Sequence, residues 1–143
     1  MKVFHDDGRG STDESVEFFE KLLPELRECG FTPIELSLDF GRLYSFELLG
    51  VLRRDPAAPG TLDIEDCVVL LTGVNCGYGG AGPDGTVRIL ALLNGVDIHH
   101  GQYLTRVDMD LQEVVRSERH LRIDFKMGVP KAIPSRCMIG GAL

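Results

Sequence analysis

The chain has 143 residues, 43% of them hydrophobic and 26% charged, with a net charge of −7. That is the size of one domain, long enough to bury a core without disulfides or metal. The negative charge opposes nucleic-acid backbones, and no apolar run reaches the roughly 20 residues that span a bilayer, so neither nucleic acid nor membrane is an expected partner. Met1 to Asp7 lacks the long apolar region of a secretory signal, and the expected location is the cytoplasm. Cys29, Cys67, Cys76 and Cys137 form no Cys-x-x-Cys pair, so they are expected to be free thiols rather than zinc ligands.

In chain order, Lys2 to His5 predicts a short strand followed by a turn-rich loop to Gly10. Ser11 and Glu14 form a capping box, which starts a helix running to about Cys29. Val16, Phe19, Leu22, Leu23 and Leu26 make its apolar stripe, acidic residues cover the other side, Gly30 stops it, and Pro24 is expected to kink it. Ile34, Leu36, Leu38 and Phe40 alternate with polar residues, predicting a strand with one wet face. Asp39 to Arg42 turns into a second strand, about Leu43 to Arg53, and residues 55–60 read as a loop.

Val68 to Leu71 is apolar on both faces and too short for a helix, as a strand buried within a sheet would be. Glycines 77, 79, 80 and 82 follow, and a helix is expected from about Pro83 to Leu93, stopped by Asn94-Gly95. Residues 96–101 fit either a strand end or a loop. Tyr103 to Met109 alternates and predicts a strand. Asp110 and Glu113 then suit the start of a short helix through Glu118. Leu121 to Met127 shows the clearest strand alternation, and residues 130–143 read as irregular. The fold expected is a single α+β domain spanning residues 1–143. Its sheet is mostly antiparallel or mixed, with five to six strands and two main helices packed on it.

The candidate ligand site is the glycine loop. Gly77-Tyr78-Gly79-Gly80-Ala81-Gly82 fits G-x-G-x-x-G between a strand and a helix, with Asp97 about 20 residues on. Glycines let a phosphate approach the backbone, and a helix N-terminus attracts it. Against this, Pro83 removes a donor, Asp97 follows no clear strand, and too little chain remains for a complete dinucleotide fold. A wide structural loop and a protein-recognition loop are the competing readings. Asn75, Cys76, Tyr78 and His99 are the side chains expected near such a site. Cys76 would be a nucleophile only if a helix N-terminus and His99 or His100 activated it.

His5-Asp6-Asp7 and His99-His100 are metal-capable, but nothing in sequence unites them, and no metal site or cofactor is assigned. Asp108 and Asp110 suit a two-metal centre less well than a wet strand face and a helix cap. Residues 103–143 carry seven basic and five acidic side chains, while residues 1–102 carry eight and seventeen. Arg106, Arg116, Arg119, Arg122 and Lys126 are thus the place for any anionic contact. The acidic helix, with Asp13, Glu14, Glu17, Glu20, Glu25 and Glu28, suits a basic partner. No complete catalytic set assembles. The expected function is therefore a small acidic binding protein without catalysis, an adaptor or a neutraliser of a toxin or enzyme, whose partner is another protein. The alternative is a phosphate- or nucleotide-binding domain or small enzyme built on the glycine loop.

Overall fold

The computed structural model describes residues 1–55, 58–125 and 130–133. The elements are β1 (Lys2–His5), α1 (Thr12–Glu28), β2 (Thr32–Asp39), β3 (Phe46–Asp55), β4 (Ala58–Leu71), α2 (Ala81–Leu93), a 3-10 turn (Tyr103–Arg106), α3 (Met109–Ser117), β5 (His120–Asp124) and β6 (Lys131–Ala132). They form one α+β domain around a six-stranded mixed sheet ordered β1-β4-β3-β2-β5-β6. β1 runs parallel to β4, and every other neighbouring pair is antiparallel.

Local chemistry explains most of these elements. Ser11 caps α1, its hydroxyl accepting from the Glu14 amide at 3.3 Å. The helix runs on through Pro24, which sits on its exposed side, while Val16, Phe19, Leu23 and Leu26 are buried. The inner face of the sheet meets that stripe with one row drawn from every strand: Phe4, Val69, Leu48, Leu36, Ile123 and Ala132 are successive cross-strand partners. α2 is buried along most of its length beside α1, with Val87, Ile89, Leu90 and Ala91 fully enclosed.

Several expectations are corrected. α2 begins at Ala81, with Gly80 as its N-cap, so Pro83 is the third helical residue. Proline is tolerated there because the first four helical N–H groups have no intrahelical acceptor. The loop expected over residues 55–60 is cut short: Asp55 pairs with Ala58, β4 already runs from Ala58, and residues 56–57 lie outside the described residues. Tyr103 to Met109 is not a strand, because Tyr103–Arg106 is a 3-10 turn and Met109 opens α3. Tyr103, Val107 and Leu111 recur every four residues, which is helical spacing that also satisfies a period of two. Asp108, not Asp110, caps α3, accepting from the Leu111 amide at 3.0 Å. The stretch read as irregular from residue 130 contains β6, which pairs with β5. The expected continuation of β5 through Met127 and the tail beyond Ile133, with Cys137, lie outside the described residues.

One correction bears on function. Val68 to Leu71, apolar on both faces, implied cover on both faces of β4. Cys67, Val69 and Leu71 are indeed fully buried on the helical side. α1, α2 and α3 all lie on that side, and among the described residues no element covers the other. Val68, 8% exposed, and the half-buried Leu70 therefore lie on the sheet face turned away from the helices.

Candidate functional site

The open face is a grid fixed by strand register. One row across it reads Val3, Val68, Leu49, Glu35, Asp124 and Lys131; the next reads His5, Leu70, Glu47, Ser37 and Arg122. The two halves differ in chemistry. On β1, β4 and β3 an apolar band crosses the face: Val3 is 54% exposed and Leu49 38%, Val68 between them is 8% exposed, and Leu70 and Val51 are half-buried beside them, with His5, Glu47 and Asp66 around the band. On β2 and β5 it is ionic. Arg122 donates to Glu35, and His120 lies 3.2 Å from Asp39. Arg42, from the turn before β3, lies 3.8 Å from Glu47.

A polar junction ties the ends of β1 and β4 to the start of α1. Asp6, 4% exposed at the end of β1, accepts from the Gly8 amide, the Thr72 amide and hydroxyl, and the Ser15 hydroxyl at 2.5 Å. Burial pushes its carboxyl pKa up, but the bonds from Ser15, Thr72 and Gly8 outweigh that and hold it below the ordinary value. Gly73 completes the junction. A β-carbon there would lie 2.1 Å from the Ser11 carbonyl oxygen, so only glycine lets β4 pass the start of α1. Thus Asp6 of the His5-Asp6-Asp7 cluster is a structural anion, and its lone pairs are spent inside the protein.

The glycine loop is close-packed on itself. Tyr78 lies across it: a β-carbon on Gly80 would meet the Tyr78 ring at 2.5 Å, and one on Gly82 would meet the Tyr78 hydroxyl at 2.7 Å and Asn75 Oδ1 at 2.0 Å. Gly77 holds φ +98°, a left-handed conformation, and its amide donates to the Val115 carbonyl at 2.9 Å. Thr86 donates to the Asn75 carbonyl at 2.7 Å, tying the loop to α2. Outside the loop, Phe40 meets Tyr78 edge-on with ring centroids 5.7 Å apart, and the Arg119 guanidinium lies 4.5 Å over the Phe40 ring. Of the four glycines only Gly79 has open space around it. Asn75 Oδ1 is buried without a hydrogen-bond partner. An amide oxygen accepts hydrogen bonds and does not attract an anion. Asp84 places a carboxylate in the first turn of α2, bound by Arg116 at 3.1 Å.

The other side chains expected at this loop do not converge on it. Cys76 is fully buried, and burial first, then the charges of Asp39 and Glu118, pushes its thiol to about 12, so it is no nucleophile. His99 lies beyond the C-terminal end of α2, where Nε2 contacts Glu20 of α1 at 2.9 Å. The 13 residues of α2 put roughly 20 Å between that end and the glycine loop. His99 is therefore removed from the site, and neither His99 nor His100 reaches Cys76. Among the described residues no group of three histidine, cysteine or carboxylate side chains is placed to hold a metal ion. Asp108 is spent on the α3 cap, and Asp110 lies in the same first turn. Of the basic residues expected to make an anionic contact, Arg116 and Arg122 are engaged with carboxylates and Arg119 with Phe40, and Lys126 lies outside the described residues. No helix among the described residues is long and apolar enough to cross a membrane.

The sequence reading missed the open apolar row and the Asp6 junction. The signal for the first was present, since Val3, Leu49, Val68 and Leu70 sit at alternate positions of their strands. Comparison with known protein families, curated protein sequences and solved structures finds no match to this chain.

Proposed function

We propose that this chain is a protein-binding module without catalysis, of the adaptor or enzyme-neutralising kind, and that it binds through the open sheet face. The observation that carries this is the second apolar row of β4. Val68 and Leu70, with Val3 and Leu49 beside them, form an apolar band merging into the ion-paired half of the same face. An exposed apolar centre with a polar border is the chemistry of a protein interface. The band lies on sheet strands, so it is presented with little loss of conformational freedom on binding. The net charge of −7 favours a partner with a basic surface.

The phosphate-binding alternative has weaker support. Three of the four glycines have packing reasons of their own, and Pro83 and Asp84 make the start of α2 a poor anion cradle.

The test is a photo-activated cross-linker at Leu49, with a second at Glu25 on the exposed side of α1, in cells that produce the protein. The partner recovered at position 49 is then purified and its affinity measured. We expect cross-linking at 49 and not at 25, and at least a tenfold weaker complex for Leu49→Asp. Cross-linking at 25 alone, or unchanged affinity for Leu49→Asp, refutes the proposal.

A further inference from the structure

The sheet ends at β1, a four-residue strand with Val3 54% exposed and His5 also exposed. The Asp6 amide donates to the Leu70 carbonyl at 3.2 Å. In a strand the N–H and C=O of one residue point the same way and alternate along the chain. Lys2, Phe4 and Asp6 therefore address β4, and the backbone groups of Val3 and His5 point outward. Among the described residues no strand pairs with that edge. Natural sheets blunt such edges with short strands, bulges, prolines or charge; β1 is short, at four residues, but carries neither a proline nor a bulge. Here Lys2 is drawn toward Asp55 at 3.8 Å and the Met1 ammonium toward Glu65 at 3.4 Å.

Directly beside the end of β1, on the helical side, lies a recess of about 320 Å³ lined by Asp6, Asp7, Glu14, Glu17, Phe18 and Lys21. Its four carboxylates face two nearby cations. Asp6 is already satisfied by Ser15, Thr72 and Gly8, Lys21 binds Glu17 at 2.8 Å and Arg9 binds Asp7 at 3.1 Å, so Glu14 is the carboxylate of the recess left to a further cation, beside the aromatic wall of Phe18.

We propose that the outer edge of β1 accepts an extended basic segment of a partner protein as a seventh strand, with a lysine or arginine of that segment seated in the acidic recess. This rests on the protein-binding reading and specifies the partner's chemistry. The backbone of Val3 and His5 supplies the ladder. Alternate residues of the added strand face the helical layer, where Glu14 and Phe18 receive a cation. The residues between them face the open side, where they extend the apolar row beyond Val3. The segment recognised therefore alternates basic and apolar residues.

The probe is a capped hexapeptide, Lys-Val-Lys-Val-Lys-Val, titrated into the isotopically labelled full chain and followed by amide resonances. A Glu-Val hexapeptide serves as control. We expect saturable shifts and slowed amide exchange at Val3 and His5. Affinity should fall at least tenfold in Glu14→Lys/Glu17→Lys and be lost in Val3→Pro, which removes only an outward N–H. Exchange protection at Val3 and His5 in the unmutated chain is the readout that does not depend on the proline variant folding. No shift at millimolar peptide, shifts on α1 without protection of β1, or equal binding of the Glu-Val peptide overturns the proposal. A null result with the peptide alongside a Leu49-dependent partner would sink the strand-addition idea while leaving the open-face reading standing.

Discussion

Removing the Asp6 carboxylate should be among the most costly changes in the molecule. Four donors converge on it: the amides of Gly8 and Thr72 at 3.1 and 2.9 Å, the Thr72 hydroxyl at 3.0 Å and the Ser15 hydroxyl at 2.5 Å. In Asp6→Ala the exposed Gly8 amide can turn to water. Ser15 is 1% exposed and its hydroxyl cannot, and the Thr72 amide is partly buried. Two stranded donors at about 1–3 kcal/mol each, together with lost charge-assisted bonds, predict a loss of about 3–5 kcal/mol. Asp6→Asn keeps one acceptor and sets an NH₂ against donors, so about half that loss is expected. The pH dependence follows from the lowered native pKa. Stability from an ionised Asp6 is complete above the unfolded value of about 3.9 and is lost as pH falls through the lower native value. The gap between the natural chain and Asp6→Asn should thus be full at pH 6 and shrink below about pH 4. Urea unfolding across that range measures both effects. A cost below 1 kcal/mol for Asp6→Ala, or a gap that widens in acid, would refute the reasoning.

Four further outcomes are expected. Burial raises the thiols of Cys67 and Cys76 to about 11 and 12, so iodoacetamide at pH 8 should spare both until the protein unfolds, as residue-resolved mass spectrometry would show. Because unfolded thiols ionise near 9 and these do not, stability should fall as pH rises from 9 toward 12; a flat profile would count against the raised values. Leu48, fully buried, and Leu49, 38% exposed, sit on opposite faces, so Leu48→Ala should cost about 2–5 kcal/mol and Leu49→Ala under about 1 in urea unfolding. Gly73→Ala, whose β-carbon meets the Ser11 carbonyl at 2.1 Å, should lower the thermal midpoint sharply, while Gly79→Ala, in open space, should leave it nearly unchanged.

What the sequence showed was local. The Ser11 cap and the stripe through Phe19 define α1 within one stretch of chain, and the alternation of Leu36 and Leu38 or Leu121 and Ile123 defines their strands. The failures came where two periods coincide, as at Tyr103, Val107 and Leu111, or where a proline-rich stretch hid a hairpin, as between Asp55 and Ala58. The site was harder to see because its parts are distant in sequence. The Asp6–Thr72 bond joins residues 66 apart, and the apolar row takes one residue from each of β1, β4 and β3. The double-faced pattern of Val68 to Leu71 signalled two apolar faces, but only the tertiary arrangement shows that the helices cover one. The glycine loop fitted a phosphate motif by spacing alone, whereas its geometry is set by the bulk of Tyr78 and Asn75.

The most direct test of the open-face reading is a methyl spectrum of the full chain, labelled at valine and leucine, with and without the partner recovered at position 49. The account predicts shifts at Val3, Leu49, Val68 and Leu70, with the inward Leu48 and Val69 little changed. Shifts centred on the glycine loop or the helical layer, with the open-face methyls unmoved, would contradict it.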